Sequence, residues 1–101
     1  MAAPTRYVLK LFVAGASDRS RQAVLQVREL CESRLAGRHE LEVIDVHQHP
    51  EVAKAYSVPA TPALVRESPR PARSFFGDLG DAEAVCATLG LASSRVRDAE
   101  R

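Results

Sequence analysis

The side chains of this sequence that could do chemistry are two thiols, three imidazoles and a surplus of guanidinium groups, and their spacing decides which chemistry is open to them. Cys31 and Cys86 stand 55 positions apart. Disulfide exchange needs an exposed thiolate, lowered in pKa by a helix N-terminus, with a resolving thiol beside it. Both cysteines instead sit among apolar neighbours in helical patterns and read as reduced core residues. His47 and His49 lie two apart, near His39, Asp45 and Glu51, yet no cysteine or further histidine completes a tetrahedral set. They read as solvated loop histidines. Glycines 15, 37, 77, 80 and 90 never fall into GxGxxG or GxxxxGK, so no phosphate cradle is expected. No serine occupies a nucleophile elbow, and no carboxylate pair has a spacing that argues for acid–base work. The expectation is therefore no catalytic residue, no metal and no cofactor.

The basic residues are unusual in kind, twelve arginines against two lysines. Genome composition alone can produce that bias. The functional alternative is that Arg19, Arg21 and Arg28, near one end and side of a helix, dock an acidic partner through forked, weakly hydrated donors. Arg66, Arg70 and Arg73 frame a proline-rich turn and suggest a second patch. A formal charge of +1 supplies no field that favours nucleic acid or anionic membrane. No apolar run approaches the roughly 18–20 residues that cross a bilayer, and Met1–Arg6 has no signal-type apolar segment. Both point to the cytoplasm.

The elements that must position these groups follow from apolar periodicity. Residues 6–14 are aliphatic and aromatic after the opening Arg6, interrupted only by Lys10, as in a central strand covered on both faces. Ala23, Val24, Val27, Leu30, Cys31 and Leu35 trace one stripe of a helix over 18–36, with Ser17 or Asp18 as N-cap and Gly37 as stop. Residues 40–46 form a second strand, parallel to the first because a helix intervenes. Pro50 opens a short helix over 50–56, and Pro59 and Pro62 forbid helix between Val58 and Pro62. Ala63–Val65 is a third strand, 67–72 a turn, and Arg73–Phe76 a fourth strand, with Phe75 and Phe76 on opposite faces. Asp81 caps a last helix carrying Val85, Cys86 and Leu89, and residues 92–101 read as a flexible tail of this single domain.

The order β-α-β-α-β-β-α, with Pro62 opening the third strand, is the thioredoxin-like α/β pattern. A cis Thr61–Pro62 bond is expected there. Where oxidoreductases of this fold carry their thiols, this chain reads Ala14-Gly-Ala-Ser-Asp-Arg-Ser20. Serine forms no disulfide, so dithiol catalysis is excluded.

Tyr7-Val-Leu-Lys-Leu-Phe-Val-Ala-Gly15, Leu41-Glu-Val-Ile-Asp-Val46, Ala60-Thr-Pro-Ala-Leu-Val65 and Gly77-Asp-Leu79 resemble, in order and spacing, the blocks of the KaiB clock-protein family. The resemblance implies a non-enzymatic protein that binds the KaiC ATPase ring and, in cyanobacteria, captures KaiA and displaces SasA. It also implies a switch between the thioredoxin-like monomer and a tetrameric ground state of order β-α-β-β-α-α-β, so a dimer or tetramer is also open. Thr61, Pro62, Gly77 and Asp78 fall in the half that rearranges. Two packings within a few kcal/mol are what such a switch requires. Tyr56 and Pro59 give this chain the look of one that rests in the thioredoxin-like form. Glu42 replaces the lysine that cyanobacterial KaiB carries where it meets KaiA, which speaks against a KaiA partner. The SasA sensor domain resembles the same fold and the Ala60-Thr-Pro block, so the alternative is an adaptor that binds a histidine kinase.

Overall fold

A computed structural model of the chain describes residues 6–91. Its elements run β1 (Tyr7–Val13), α1 (Asp18–Arg34), β2 (His39–Asp45), α2 (Pro50–Ala55), β3 (Ala63–Ser68), β4 (Arg73–Phe76) and α3 (Ala82–Leu89). The expected 92–101 tail lies outside the described residues. The four strands form one sheet in the order β2-β1-β3-β4, in which β1 pairs parallel with β2 and antiparallel with β3, and β3 pairs antiparallel with β4.

The central place of β1 explains its composition. Leu9, Leu11 and Val13 face α1 and α3, while Phe12 faces α2, and all four are buried. The larger core joins them to Val27, Leu30, Cys31, Leu35, Leu64, Val85 and Leu89. The smaller one gathers Phe12, Ile44, Ala63 and Val65 beneath Val52, Ala53 and Tyr56 of the α2 region. Burying one such aliphatic side chain contributes roughly 1.5–3 kcal/mol, so the larger cluster dominates stability.

The caps match the sequence signals. Ser17 Oγ accepts the Ser20 N–H at 3.1 Å, and Asp81 Oδ1 accepts the Ala84 N–H at 3.1 Å. Gly90, at φ +64°, ends α3 cleanly, and its N–H donates to Cys86 O. Replacing Ser17 with alanine leaves that amide without its cap and should lower stability by about 1 kcal/mol. A urea-unfolding midpoint identical to that of the parent protein would refute the capping role.

Three expectations change in detail. Helix α1 stops at Arg34, with Leu35 as C-cap, because Gly37 already turns the chain at φ +75°. Strand β3 continues through Ser68 instead of giving way to a turn at Glu67. A β-bulge makes this possible: Leu9 pairs with Arg66 and Val8 with Ser68, which leaves Glu67 as the extra residue. The third concerns Arg66, which is 6% exposed and belongs to no surface patch. Strand alternation turns it toward α3, where Nη1 donates to Leu89 O at 2.8 Å and Nη2 to Pro71 O at 2.5 Å.

Candidate functional site

The loop between β1 and α1 is fastened to the end of β2 by one carboxylate. Asp45 Oδ1 accepts the Gly15 N–H at 3.0 Å and the His47 N–H at 2.9 Å. Those bonds, that from His47 first, hold the Asp45 carboxyl below the usual carboxylate range. The unfolded chain takes up this proton at ordinary carboxylate pH, whereas the folded chain resists it. The stabilisation is therefore complete at neutral pH and is lost as pH falls through the depressed folded value. Glu67 behaves in the same way, because the Tyr56 hydroxyl and then the Lys10 ammonium hold it low. Stability should thus decline as pH falls from about 5 through about 3, and Asp45→Asn should flatten the decline. Urea midpoints across that range check it; an Asp45→Asn profile parallel to the parent's would contradict the assignment.

The two thiols lie elsewhere. Cys31 and Cys86 are buried on α1 and α3 and are not joined in a disulfide, and burial pushes the Cys31 thiol up to about 11. The β1–α1 junction carries Ala14, Gly15 and Ala16, and Ser17 is engaged as the helix cap. His47 and His49 are exposed; His49 Nδ1 lies 3.7 Å from Glu51. Among the described residues, no group of three or more His, Cys, Asp or Glu is placed to hold a metal ion.

The arginines of α1 do not form one patch. Arg19 and Arg28 are nine residues apart, two and a half turns, and so leave opposite flanks of the helix. Arg19 opens into a cleft of about 280 Å³ with Gln22, Pro62, Gly77 and Asp78. Arg28 opens beside Glu32, His39 and Leu41. Arg21 is engaged at home, donating to Ala16 O at 2.7 Å and pairing with Asp18. Exposed Leu25 lies between these flanks.

Thr61, Pro62, Gly77 and Asp78 do meet at one end of the sheet. The Thr61–Pro62 bond is cis, as are Ser68–Pro69 and Arg70–Pro71. Gly77 sits at φ +154°, and a Cβ there would come within 3.3 Å of the Phe75 ring, so a side chain is disfavoured on both counts. Asp78 Oδ1 accepts the Gly80 N–H at 2.9 Å and shapes the turn into α3, where Leu79 is buried.

Glu42 lies on the other face, and its setting was not legible in the sequence. Lys10 Nζ stands 2.7 Å from Glu42 Oε1 and 3.2 Å from Glu67 Oε1, and Tyr56 OH donates to Glu67 Oε1 at 3.0 Å. These contacts, led by Glu42, raise the Lys10 pKa. The one signal was Lys10 itself, a cation in an apolar strand whose charge requires anionic neighbours on the same face of the sheet.

A model of the KaiB domain matches residues 10–91. The circadian clock oscillator protein KaiB of Prochlorococcus marinus strain MIT 9312 is 39% identical over 100 residues, covering 99% of this chain and 95% of that one. KaiB1 of Synechocystis is 38% identical over 94 residues, covering 93% and 90%. Among solved structures, the N-terminal domain of Synechococcus elongatus SasA superposes with a TM-score of 0.70 at 29% identity, covering 85% of each chain. The germline thioredoxin Deadhead of Drosophila melanogaster, at 21% identity and a TM-score of 0.63, covering 81% of this chain and 76% of that one, shares the fold.

Proposed function

The chain belongs to the KaiB family of clock proteins, and from that premise we propose that it is a non-enzymatic regulator that docks on a KaiC-type ATPase and modulates its cycle. One observation carries the reading. In a thioredoxin-like fold matched to KaiB over nearly its whole length, the β1–α1 junction is built of Ala14, Gly15, Ala16 and a serine engaged in capping. The exposed surface of α1, flanked by Arg19 and Arg28, is the proposed contact, and the cytoplasm is its proposed place of action. Glu42 stands against KaiA as a partner, because a surface complementary to the lysine of cyanobacterial KaiB would meet a like charge at Glu42. The thioredoxin-like arrangement is proposed as the resting form, with the second half, which contains Thr61, Pro62, Gly77 and Asp78, as the part that would rearrange.

Sedimentation of the protein with a purified KaiC-type ATPase tests this. A complex should form and change the ATPase rate, and the double variant Arg19→Glu/Arg28→Glu should weaken it more than about ten-fold, since like charges across an interface cost several kcal/mol. Unchanged binding by the variant would reject the α1 surface; no complex at all would reject the partner.

The SasA likeness favours one second reading, an adaptor module that binds a histidine kinase. A complex with a kinase and none with the ATPase ring would select it.

A further inference from the structure

Helix α2 and the turn that follows it, residues 50–58, are held to the sheet more weakly than the other two helices. Helices α1 and α3 each begin with a side-chain cap and bury several residues, whereas α2 has neither a side-chain cap nor a fully buried residue. Its contact with the smaller core comes from the half-buried Val52, Ala53, Tyr56 and Val58. Two clefts open beside it. Val52 and Tyr56 share one of about 290 Å³ with Lys10, Glu42 and Ile44, and Ala53 and Val58 share one of about 380 Å³ with Ala14, Val46 and His47. Packed interiors leave few voids larger than a water molecule, so α2 is not packed in along these flanks.

The backbone adds strain where the chain leaves the helix. The Val58 N–H donates to Ala53 O and the Ser57 N–H to Lys54 O, both at 3.0 Å, a helix ending that commonly places glycine at position 57. Serine stands there at φ +54°, the only residue other than glycine with a positive φ among the described residues. A Cβ is unfavourable in that conformation. Among the described residues, one hydrogen bond ties 50–58 to another element, from Tyr56 OH to Glu67 Oε1 at 3.0 Å. The Tyr56 ring rests on Phe12, at 5.5 Å between centroids, and Lys10 Nζ stands 6.0 Å over it.

We propose that residues 50–58 form a lid, closed in this structure, that opens as one unit while the four strands, α1 and α3 stay in place. Tyr56 is its latch, and the left-handed Ser57 keeps it easy to open. Opening bares Phe12, Ile44, Ala63 and Val65, a face of the sheet that is otherwise buried. A short segment with few buried groups and exposed hydrogen bonds is the kind that opens well below the free energy of global unfolding. The proposal is independent of the α1 contact and of its partner, so either can fail without the other.

Amide hydrogen exchange of the full chain, followed by NMR at a series of low urea concentrations, tests this. Tyr56, Ser57 and Val58 should share one shallow urea dependence and be at least about ten-fold less protected than Phe12, Val27 and Val65. Ser57→Gly should raise the protection of Tyr56 and Val58 about three-fold. Tyr56→Phe, which keeps the ring, should lower that of Val58 about ten-fold, because a hydrogen bond to a charged group is lost. Ser17→Ala weakens α1 alone. It should lower the protection of Val27 about five-fold and leave Tyr56 and Val58 unchanged. One steep urea dependence shared by lid and core, a joint shift of both groups in Ser17→Ala, or lid amides unmoved by Ser57→Gly would overturn the proposal. So would a lack of any protection at Tyr56 and Val58, since the lid would then not be closed.

Discussion

Replacing Arg66 with alanine should lower the unfolding free energy by about 2–4 kcal/mol, because the change removes two charge-assisted hydrogen bonds and leaves a cavity beside α3. The guanidinium bonds the carbonyl of Leu89, at the C-terminal end of α3, where a cation also meets the negative pole of the helix. Its second bond, to Pro71 O, ties the turn between β3 and β4 to that helix end. Gly90 belongs to the same device, since a Cβ there would lie 3.0 Å from Arg66 Nη1 in a left-handed backbone. The arrangement carries a cost. Arg66 Nε is buried without a partner, and no carboxylate pairs with the side chain among the described residues. In a domain whose total stability is on the order of 5–10 kcal/mol, the loss should lower Tm by more than about 10 °C. Arg66→Lys, which can reach one carbonyl but not both, should fall between. If Arg66→Ala melts within about 2 °C of the parent, the penalty of the buried charge equals the value of its bonds and the clamp contributes nothing net.

Phe12→Ala should be at least as severe, at about 3–5 kcal/mol, and its effect should be local as well as global. Phe12 is fully buried and forms the centre of the smaller core, where it meets Ile44, Ala63, Val65 and the Tyr56 ring. Helix α2 has six residues, no side-chain N-cap bond and no fully buried residue. A helix that short has little stability of its own and depends on the packing beneath it. With Phe12 truncated, the amides of Ala53 and Tyr56 should lose hydrogen-exchange protection before those of β1 and α1 do. Retained protection across α2 would show that its anchorage lies elsewhere.

The elements were legible because their signals are local. The stripe of α1, the alternation of β2 and the prolines at 50, 59 and 62 each fix a short stretch without reference to the remainder of the chain. The partnerships were not, because they depend on register. Arg66 and Glu67 are adjacent charged residues in a segment that reads as strand end and turn, yet one is clamped against α3 and the other faces α2. That division follows from β3 extending past Val65 with a bulge at Glu67, which no local pattern announces. Lys10 and Glu42 meet because β1 and β2 pair at that register, 32 residues apart in sequence. The α1 arginines lie farther apart in space than in sequence for a simpler reason: a cluster in sequence is a cluster in space only when the spacing returns to the same helix face, and Arg19 to Arg28 does not.

This thioredoxin-like scaffold is proposed to act through its surface and not through a thiol. The most direct test measures, by fluorescence anisotropy, the affinity of a labelled KaiC-type ATPase for three forms of the protein: the parent, a cysteine-free Cys31→Val/Cys86→Ala form, and Arg19→Glu/Arg28→Glu. The prediction is a cysteine-free Kd within about two-fold of the parent's and a charge-reversed Kd more than about ten-fold higher. Loss of binding on removal of the cysteines from a still-folded protein, with the arginine variant unaffected, would contradict it.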